Sequence, residues 1–243
     1  MRSSVARLEH YLYHRHPGWI NGEELFHDIC KKTIPLGSDI LEIGAGPSND
    51  TSRFLATRGR LHGVDPDVDV LENDALTSAH QMRDGVLPFA DGSMDHCVSH
   101  YVIEHVEHPA EHLREVSRVL RPGGTYIFRT PNRWHYVAFV ASITPHWFHL
   151  AVANRLRGLP PESHDPYPTH YAMNNMRSIR RHATNSGFTV EKLEAVEKEP
   201  AYARFSAAAY LLLAGYERVV NSTPALRVLR ANFFVVLRKR DSR

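Results

Sequence analysis

Only two cysteines, Cys30 and Cys97, occur in the 243 residues, with no CxxC spacing between them. That argues against a disulfide framework and for buried, reduced thiols in a cytoplasmic protein. No run of about 18 apolar residues exists, so no membrane-spanning helix is expected. The stretch FSAAAYLLLAG near the C-terminus is too short for one; core or dimer packing suits it, and peripheral membrane contact stays open. The start, MRSSVARLEHYLYHRHPGW, has no apolar signal core, so secretion is not expected. No repeat or low-complexity tract appears. No dense Lys/Arg run with a known RNA-binding module is present either, which argues against a nucleic-acid partner. The net charge of +2 hides an asymmetry: residues 1–120 carry 11 basic and 19 acidic side chains, and residues 121–243 carry 18 and 8.

What is present reads as alternating strands and helices. Strands are expected at 40–43, up to Asp65, at 96–100, 125–130 and 188–196, and in the terminal NFFVVLRKR. Helices are expected over 5–16, 22–34, 50–58, 67–73, 109–120, 176–185 and 203–219, with a weaker segment near 76–83. RPGG at 121–124 stops the helix before it. This alternation predicts a mainly parallel sheet covered on both faces. Between 131 and 172 the rhythm gives way to aromatics, histidine and proline, as in a lid or binding insert.

The stretch DILEIGAGPSND sets a glycine-rich turn directly after a buried strand, where open parallel sheets bind ligands. A dinucleotide fingerprint needs GxGxxG. Gly44 and Gly46 fit it, but Asn49 stands at the third position, which argues against a nicotinamide cofactor. Asp65, 19 residues past Gly46, ends the next strand, where a carboxylate can accept from ribose hydroxyls.

ILEIGAGPSND, GVDPD, LPFADGSMD, IEHVEHP and RVLRPGGTYIFRTPN occur in that order. Together they resemble class I S-adenosylmethionine-dependent methyltransferases, in the small-molecule group that includes the ubiquinone-biosynthesis O-methyltransferases. The resemblance covers about 39–132. It implies a Rossmann-like α/β fold with a seven-stranded, mainly parallel sheet, an antiparallel last strand, helices on both faces and an aromatic-rich lid after the fifth strand. The chain is expected to form one such domain over 1–243, with a helical cover at 1–38, the insert at 131–172 and a helical insert at 200–230. S-adenosylmethionine becomes the expected cofactor and S-adenosylhomocysteine its product. Glu42, Gly44, Ala45 and Gly46 would lie beside the cofactor's methionine portion, with Ser48 where the family often has a further glycine. Asp65 would hold the ribose and Pro66 flank the adenine. Asp84, with Gly85 and Val86, best matches the acidic position near the adenine amine. Ser99, His100 and Tyr101 would line the outer side.

The expected reaction is methyl transfer to a small-molecule hydroxyl, with an RNA 2′-O-methyltransferase and a non-catalytic cofactor-binding protein as alternatives. A hydroxyl nucleophile calls for a base, and histidine suits that work near neutral pH. His105 leads, with His100 and His135 next; His146, His149, His164 and His170 in the insert are further candidates. Relatives with an ExxEH metal site resemble 101–105, but Tyr101 stands where their first glutamate would be, so no metal is expected. Tyr13, Trp19, Trp134, Tyr136, Trp147 and Tyr171 are expected to cover an aromatic or lipid-like acceptor. The sequence leaves monomer and homodimer open.

Overall fold

The structure, a computed structural model, describes residues 2–137, 167–200 and 203–241. Trp147, His146, His149 and His164, with most of the 131–172 insert, lie outside the described residues. Helix α1 (Arg2–Glu9) runs into a π turn (His10–His14), so the expected single helix over 5–16 is two elements. Helix α2 (Gly22–Thr33) starts at Asn21, whose side chain accepts from the amides of Glu23 and Glu24 at 2.9 Å. The Glu24 carboxylate reaches back to the Asn21 amide, completing a reciprocal cap.

Strand β1 (Ser38–Ile43) is buried at every position, as a central parallel strand with both faces covered must be. Helix α3 (Asp50–Ala56), strand β2 (Gly59–Asp65), a 3₁₀ turn (Val68–Glu72) and strand β3 (Ser78–Gln81) follow. The expected helix at 67–73 is thus a 3₁₀ turn: Asp67 caps it by accepting from the Asp69 amide, and it closes within five residues. The weak segment near 76–83 contains an edge strand, and a separate bridge between Arg83 and Val86 follows it.

Strand β4 (Met94–His100) leads to helix α4 (Pro109–Val119), which buries Leu113, Val116 and Val119. Strand β5 (Leu120–Pro131) begins five residues earlier than expected. RPGG ends the helix and then sits inside the strand, where the pairing with β4 shifts register between Met94 and His96. Helix α5 (Met176–Asn185), strand β6 (Phe188–Val196), helix α6 (Ala207–Asn221) and strand β7 (Asn232–Lys239) complete the chain.

The seven strands lie in the order β3-β2-β1-β4-β5-β7-β6, mostly parallel, with the last strand antiparallel. Strands β2, β1, β4 and β5 pair in parallel, so their carboxyl ends share one edge. Cys97, Val98, Tyr126, Ile127, Phe128 and Phe234 are fully buried beside Ile40 and Leu41. Burial pushes the thiols of Cys30 and Cys97 well up, and both are free. No helix among the described residues is long and apolar enough to cross a membrane.

Contacts divide the chain into two compact units. The larger comprises 25–131, 168–194 and 233–243; the smaller comprises 1–24, 132–167 and 195–232. In the smaller one Val5, Tyr13, Ala203 and Tyr210 form a core, with Trp19, Leu8 and Leu213 packed against it.

At the amino edge of the sheet, Asp39 accepts from Arg60 at 2.6 Å and from Arg121 at 3.2 Å, and these two guanidiniums hold its carboxyl below the usual carboxylate range. A lowered pKa in the folded state makes this contribution full above the unfolded value and lost as pH falls through the folded one. Asp39→Asn is therefore expected to lower the thermal midpoint by about 2 °C at pH 7. The gap from wild type should close as pH drops below the carboxylate range, which a series of calorimetric scans measures.

Candidate functional site

The turn after β1 is held from below. The amides of Gly44 and Ala45 donate to the Val64 carbonyl at 2.8 and 3.2 Å. A side chain on Gly44 would overlap Val102, so that glycine serves the packing of the chain on itself. Gly46 differs: its φ is +54°, and a Cβ there would meet nothing within 4 Å. Gly46 therefore leaves open space beside the backbone, as a ligand cradle requires. Asn49, at the missing-glycine position, caps α3 by accepting from the Ser52 amide and donates to the Ala45 carbonyl at 2.8 Å.

Two buried carboxyls flank this turn. Asp65 accepts from the Gly46 amide at 3.0 Å and from the Asp67 amide at 2.8 Å, tying the end of β2 to the glycine loop. Burial chiefly raises its pKa, and Asp67 and Asp69 add repulsion. Glu42 accepts from the Ser52 hydroxyl at 2.7 Å, and Asn73 donates to that hydroxyl and to the Gly46 carbonyl at 3.1 Å. Burial, aided by the charge of Asp65, pushes the Glu42 carboxyl up to about 7. Ser48 donates to Asp74 at 2.6 Å, and Arg53, the basic side chain here, pairs with the same Asp74. The loop is thus rimmed by acid.

This donor and acceptor set discriminates between cofactors. A pyrophosphate would bring two negative charges against Glu42 and Asp65, whereas a sulfonium, an ammonium and a ribose diol all complement carboxylates. The residues present fit S-adenosylmethionine, the cofactor that the resemblance implies.

Pro66, expected to flank an adenine, is exposed and its carbonyl accepts from Gln81 at 2.9 Å. Val68 and Leu71 on the following 3₁₀ turn are exposed apolar neighbours that sequence reasoning passed over. Asp84 and Gly85 both have positive φ and form the two central residues of a tight turn closed by Arg83 and Val86. The Asp-Gly pair is accounted for by that turn.

At the exit of β4 the side chains separate. Ser99 is fully buried, its hydroxyl 2.7 Å from that of Tyr126. His100 stacks on Phe26 at 4.8 Å, with Nδ1 3.4 Å from Thr51 and Nε2 3.3 Å from Arg129. Burial, then the charge of Arg129, lowers its pKa to about 3, so the ring is neutral and a weak proton acceptor. Tyr101, at φ +59°, covers the Arg129 guanidinium at 4.7 Å.

Beyond it, Glu104 is buried, accepts from the Thr130 hydroxyl at 3.0 Å and is pushed up to about 7 by burial. Asn174 donates to Thr130 at 2.6 Å. The Glu104 carbonyl accepts from the amides of His170 and Tyr171, which fastens residues 168–174 to the β4 exit. His105 Nδ1 donates to the Pro168 carbonyl at 3.0 Å. No group of three or more His, Cys, Asp or Glu among the described residues is arranged to hold a metal ion.

The larger unit thus brings together Glu42, Gly44, Ala45, Gly46, Asp65, Pro66, His100, Tyr101, His105 and Tyr171. Tyr13, Trp19, Trp134, His135 and Tyr136 belong to the smaller unit. There Tyr13 is a core residue 5.3 Å from Trp19, and Trp134 is half exposed. His135 is buried against Tyr136 with Nε2 3.4 Å from Glu197. Ser52 and Asn73 were not singled out from sequence, and Glu104 was weighed only within the ExxEH likeness of 101–105. Glu104, four residues past His100, carried a signal in its charge; Ser52 and Asn73 carried none.

Residues 41–128 match a family model described as methyltransferase domain. An uncharacterized methyltransferase of Mycobacterium sp. strain JLS is 40% identical over 97 residues, 38% of each chain. A probable S-adenosylmethionine-dependent methyltransferase of Mycolicibacterium smegmatis is 33% identical over 129 residues, 51% of this chain and 47% of that one. The chain therefore spans less than half the length of these curated relatives. A solved S-adenosylmethionine-dependent methyltransferase from Methanosarcina mazei superposes with a TM-score of 0.57 at 15% identity, covering 88% of this chain and 98% of that one, a likeness of fold.

A carboxyl whose pKa rises on folding stabilises the folded state below its unfolded pKa, and that contribution is lost as pH rises through the folded value. Glu42→Gln is accordingly expected to match wild type near pH 4 and to be more stable by about 1–3 kcal/mol at pH 8. Urea unfolding of the ligand-free protein at both pH values measures it.

Proposed function

We infer, because the chain carries a class I S-adenosylmethionine-dependent methyltransferase domain, that it transfers the cofactor's methyl group to a hydroxyl of a small molecule. The observation that carries this reading is the acid-rimmed glycine turn. Glu42 and Asp65 face a loop with open space at Gly46, and the basic neighbour Arg53 is already paired. That turn suits a cationic, hydroxyl-bearing ligand.

When bound, the cofactor supplies a methyl group already activated by its sulfonium. The chain's own part is then to hold, align and shield. Asp65 keeps its carboxylate at the end of β2 through two backbone amides, with lone pairs left to accept from a ribose diol. Glu42 answers the positive end of the same ligand. Val68 and Leu71, with Pro66, offer apolar contact to a flat base. Alignment and exclusion of water supply much of the rate in such a displacement. His105, whose Nδ1 donates to the Pro168 carbonyl at the β4 exit, takes the acceptor's proton.

Calorimetry with S-adenosylhomocysteine and with NAD separates the cofactor readings: the first is expected to bind and NAD is not. Binding of NAD alone would sink the proposal. Asp65→Ala should weaken S-adenosylhomocysteine by roughly tenfold or more, since a charge-assisted pair of hydrogen bonds is lost. With an acceptor found by mass spectrometry of a metabolite pool supplied with methyl-labelled cofactor, His105→Ala should lower kcat by about 100-fold. Its affinity for S-adenosylhomocysteine should stay unchanged.

A further inference from the structure

Arg129 stands near the end of β5, opposite His100 in the β4 pairing. It is the one charged residue of TYIFRT, the mostly buried second half of β5, and it is only partly exposed. Arginine in such a place is ordinarily paired with a carboxylate. Here, among the described residues, it makes no ion pair. Its Nε is buried without a hydrogen-bond partner. Its Nη1 donates to neutral His100 at 3.3 Å, and its guanidinium lies between the rings of Tyr101 at 4.7 Å and Phe234 at 5.2 Å. Those faces offset part of the desolvation cost but supply no counter-charge. Glu104 feels its field, yet the Glu104 carboxyl is bonded to Thr130.

The cation also connects to the glycine turn. His100 bridges from Arg129 to Thr51, and Thr51 lies in the first turn of α3, directly after the loop. His27 reaches the same Thr51 hydroxyl at 3.3 Å. A row of polar side chains, His27, Thr51, His100 and Arg129, therefore leads from the cradle to an uncompensated positive charge. The ligand read for that cradle is an amino acid at one end: its ammonium and sulfonium suit the acidic rim, and its α-carboxylate suits nothing on it.

We propose that Arg129 is the counter-charge for the α-carboxylate of the cofactor's amino-acid portion, fixing that end of the ligand across the carboxyl edge of β4 and β5. The proposal rests on the methyl-transfer reading and adds a residue outside the glycine loop and Asp65. Tyr101 and Phe234 hold the guanidinium plane, and His100 turns it, since a neutral imidazole can accept from it without competing for charge.

The test is calorimetry of wild type, Arg129→Gln and Arg129→Lys with two ligands. S-adenosylhomocysteine carries the α-carboxylate, and 5′-methylthioadenosine keeps the nucleoside and sulfur without it. In Arg129→Gln the first is expected to weaken by roughly tenfold or more and the second by less than about twofold. Arg129→Lys should recover part of the loss, because it keeps the charge without the fork. Retained methylthioadenosine binding also reports that the variant is folded. If the two ligands change together in both variants, or neither changes, the proposal is overturned while the methyl-transfer reading stands. If wild type binds neither ligand, both fall.

Discussion

Glu42 sits in a strand that water does not reach, and the geometry of the glycine turn follows from how the fold accommodates it. A carboxyl in such a place must be neutralised, paired or hydrogen-bonded. Here Ser52 donates to it, Asn73 donates to Ser52, and the same Asn73 amide donates to the Gly46 carbonyl. One buried polar group thereby joins β1, the start of α3 and the segment after the 3₁₀ turn. Asp65 repeats the device from the next strand by holding the Gly46 amide. Both peptide groups that shape the open side of the turn are fixed by side chains whose own burial is costly. The site is preorganised at the expense of folding stability, a common arrangement where charge must be presented to a ligand.

The exit of β4 shows a second division of labour. Three histidines and two glutamates crowd between His100 and His108, and they do different things. His100 is a stacked, neutral acceptor between Arg129 and Thr51. Glu104 is a buried carboxyl bonded to Thr130, and its backbone carbonyl anchors the chain that returns from the insert. His105 has its tautomer set by the Pro168 carbonyl. A cluster that resembles a metal-binding pattern is, in three dimensions, a row whose members face different elements.

The smaller unit is built on different physics. Its core is aromatic and aliphatic, around Tyr13 and Tyr210, and its polar groups are used on itself. Asn132 donates to the carbonyls of Val228 and Arg230, and Glu197 accepts from the Ala231 amide. His135 and Tyr136 pack into that arrangement beside Tyr216. Aromatic residues that the sequence presents as an acceptor's cover therefore also have a local packing role, because rings this large stabilise whatever core they can join.

The parts legible from the sequence alone were those set by short-range periodicity and turn chemistry. The buried run ILEI, the glycines after it, Asp65 at the end of the next strand and the amphipathic 109–119 helix each announce themselves within a dozen residues. Five ordered blocks were enough to imply the cofactor, and a seven-stranded sheet with an antiparallel last strand followed from the family they resemble. Element edges were less legible. The 3₁₀ turn after Asp65 and the early start of β5 depend on capping and on a register shift against a strand 26 residues away, from Asp95 to Arg121. Tertiary structure alone decided that Ser52 and Asn73 serve Glu42, that Ser99 turns into the core and that Arg129 makes no ion pair among the described residues. Those facts concern desolvation and partners brought together by the fold, and burial of a polar group is a property of its surroundings rather than of its place in the chain.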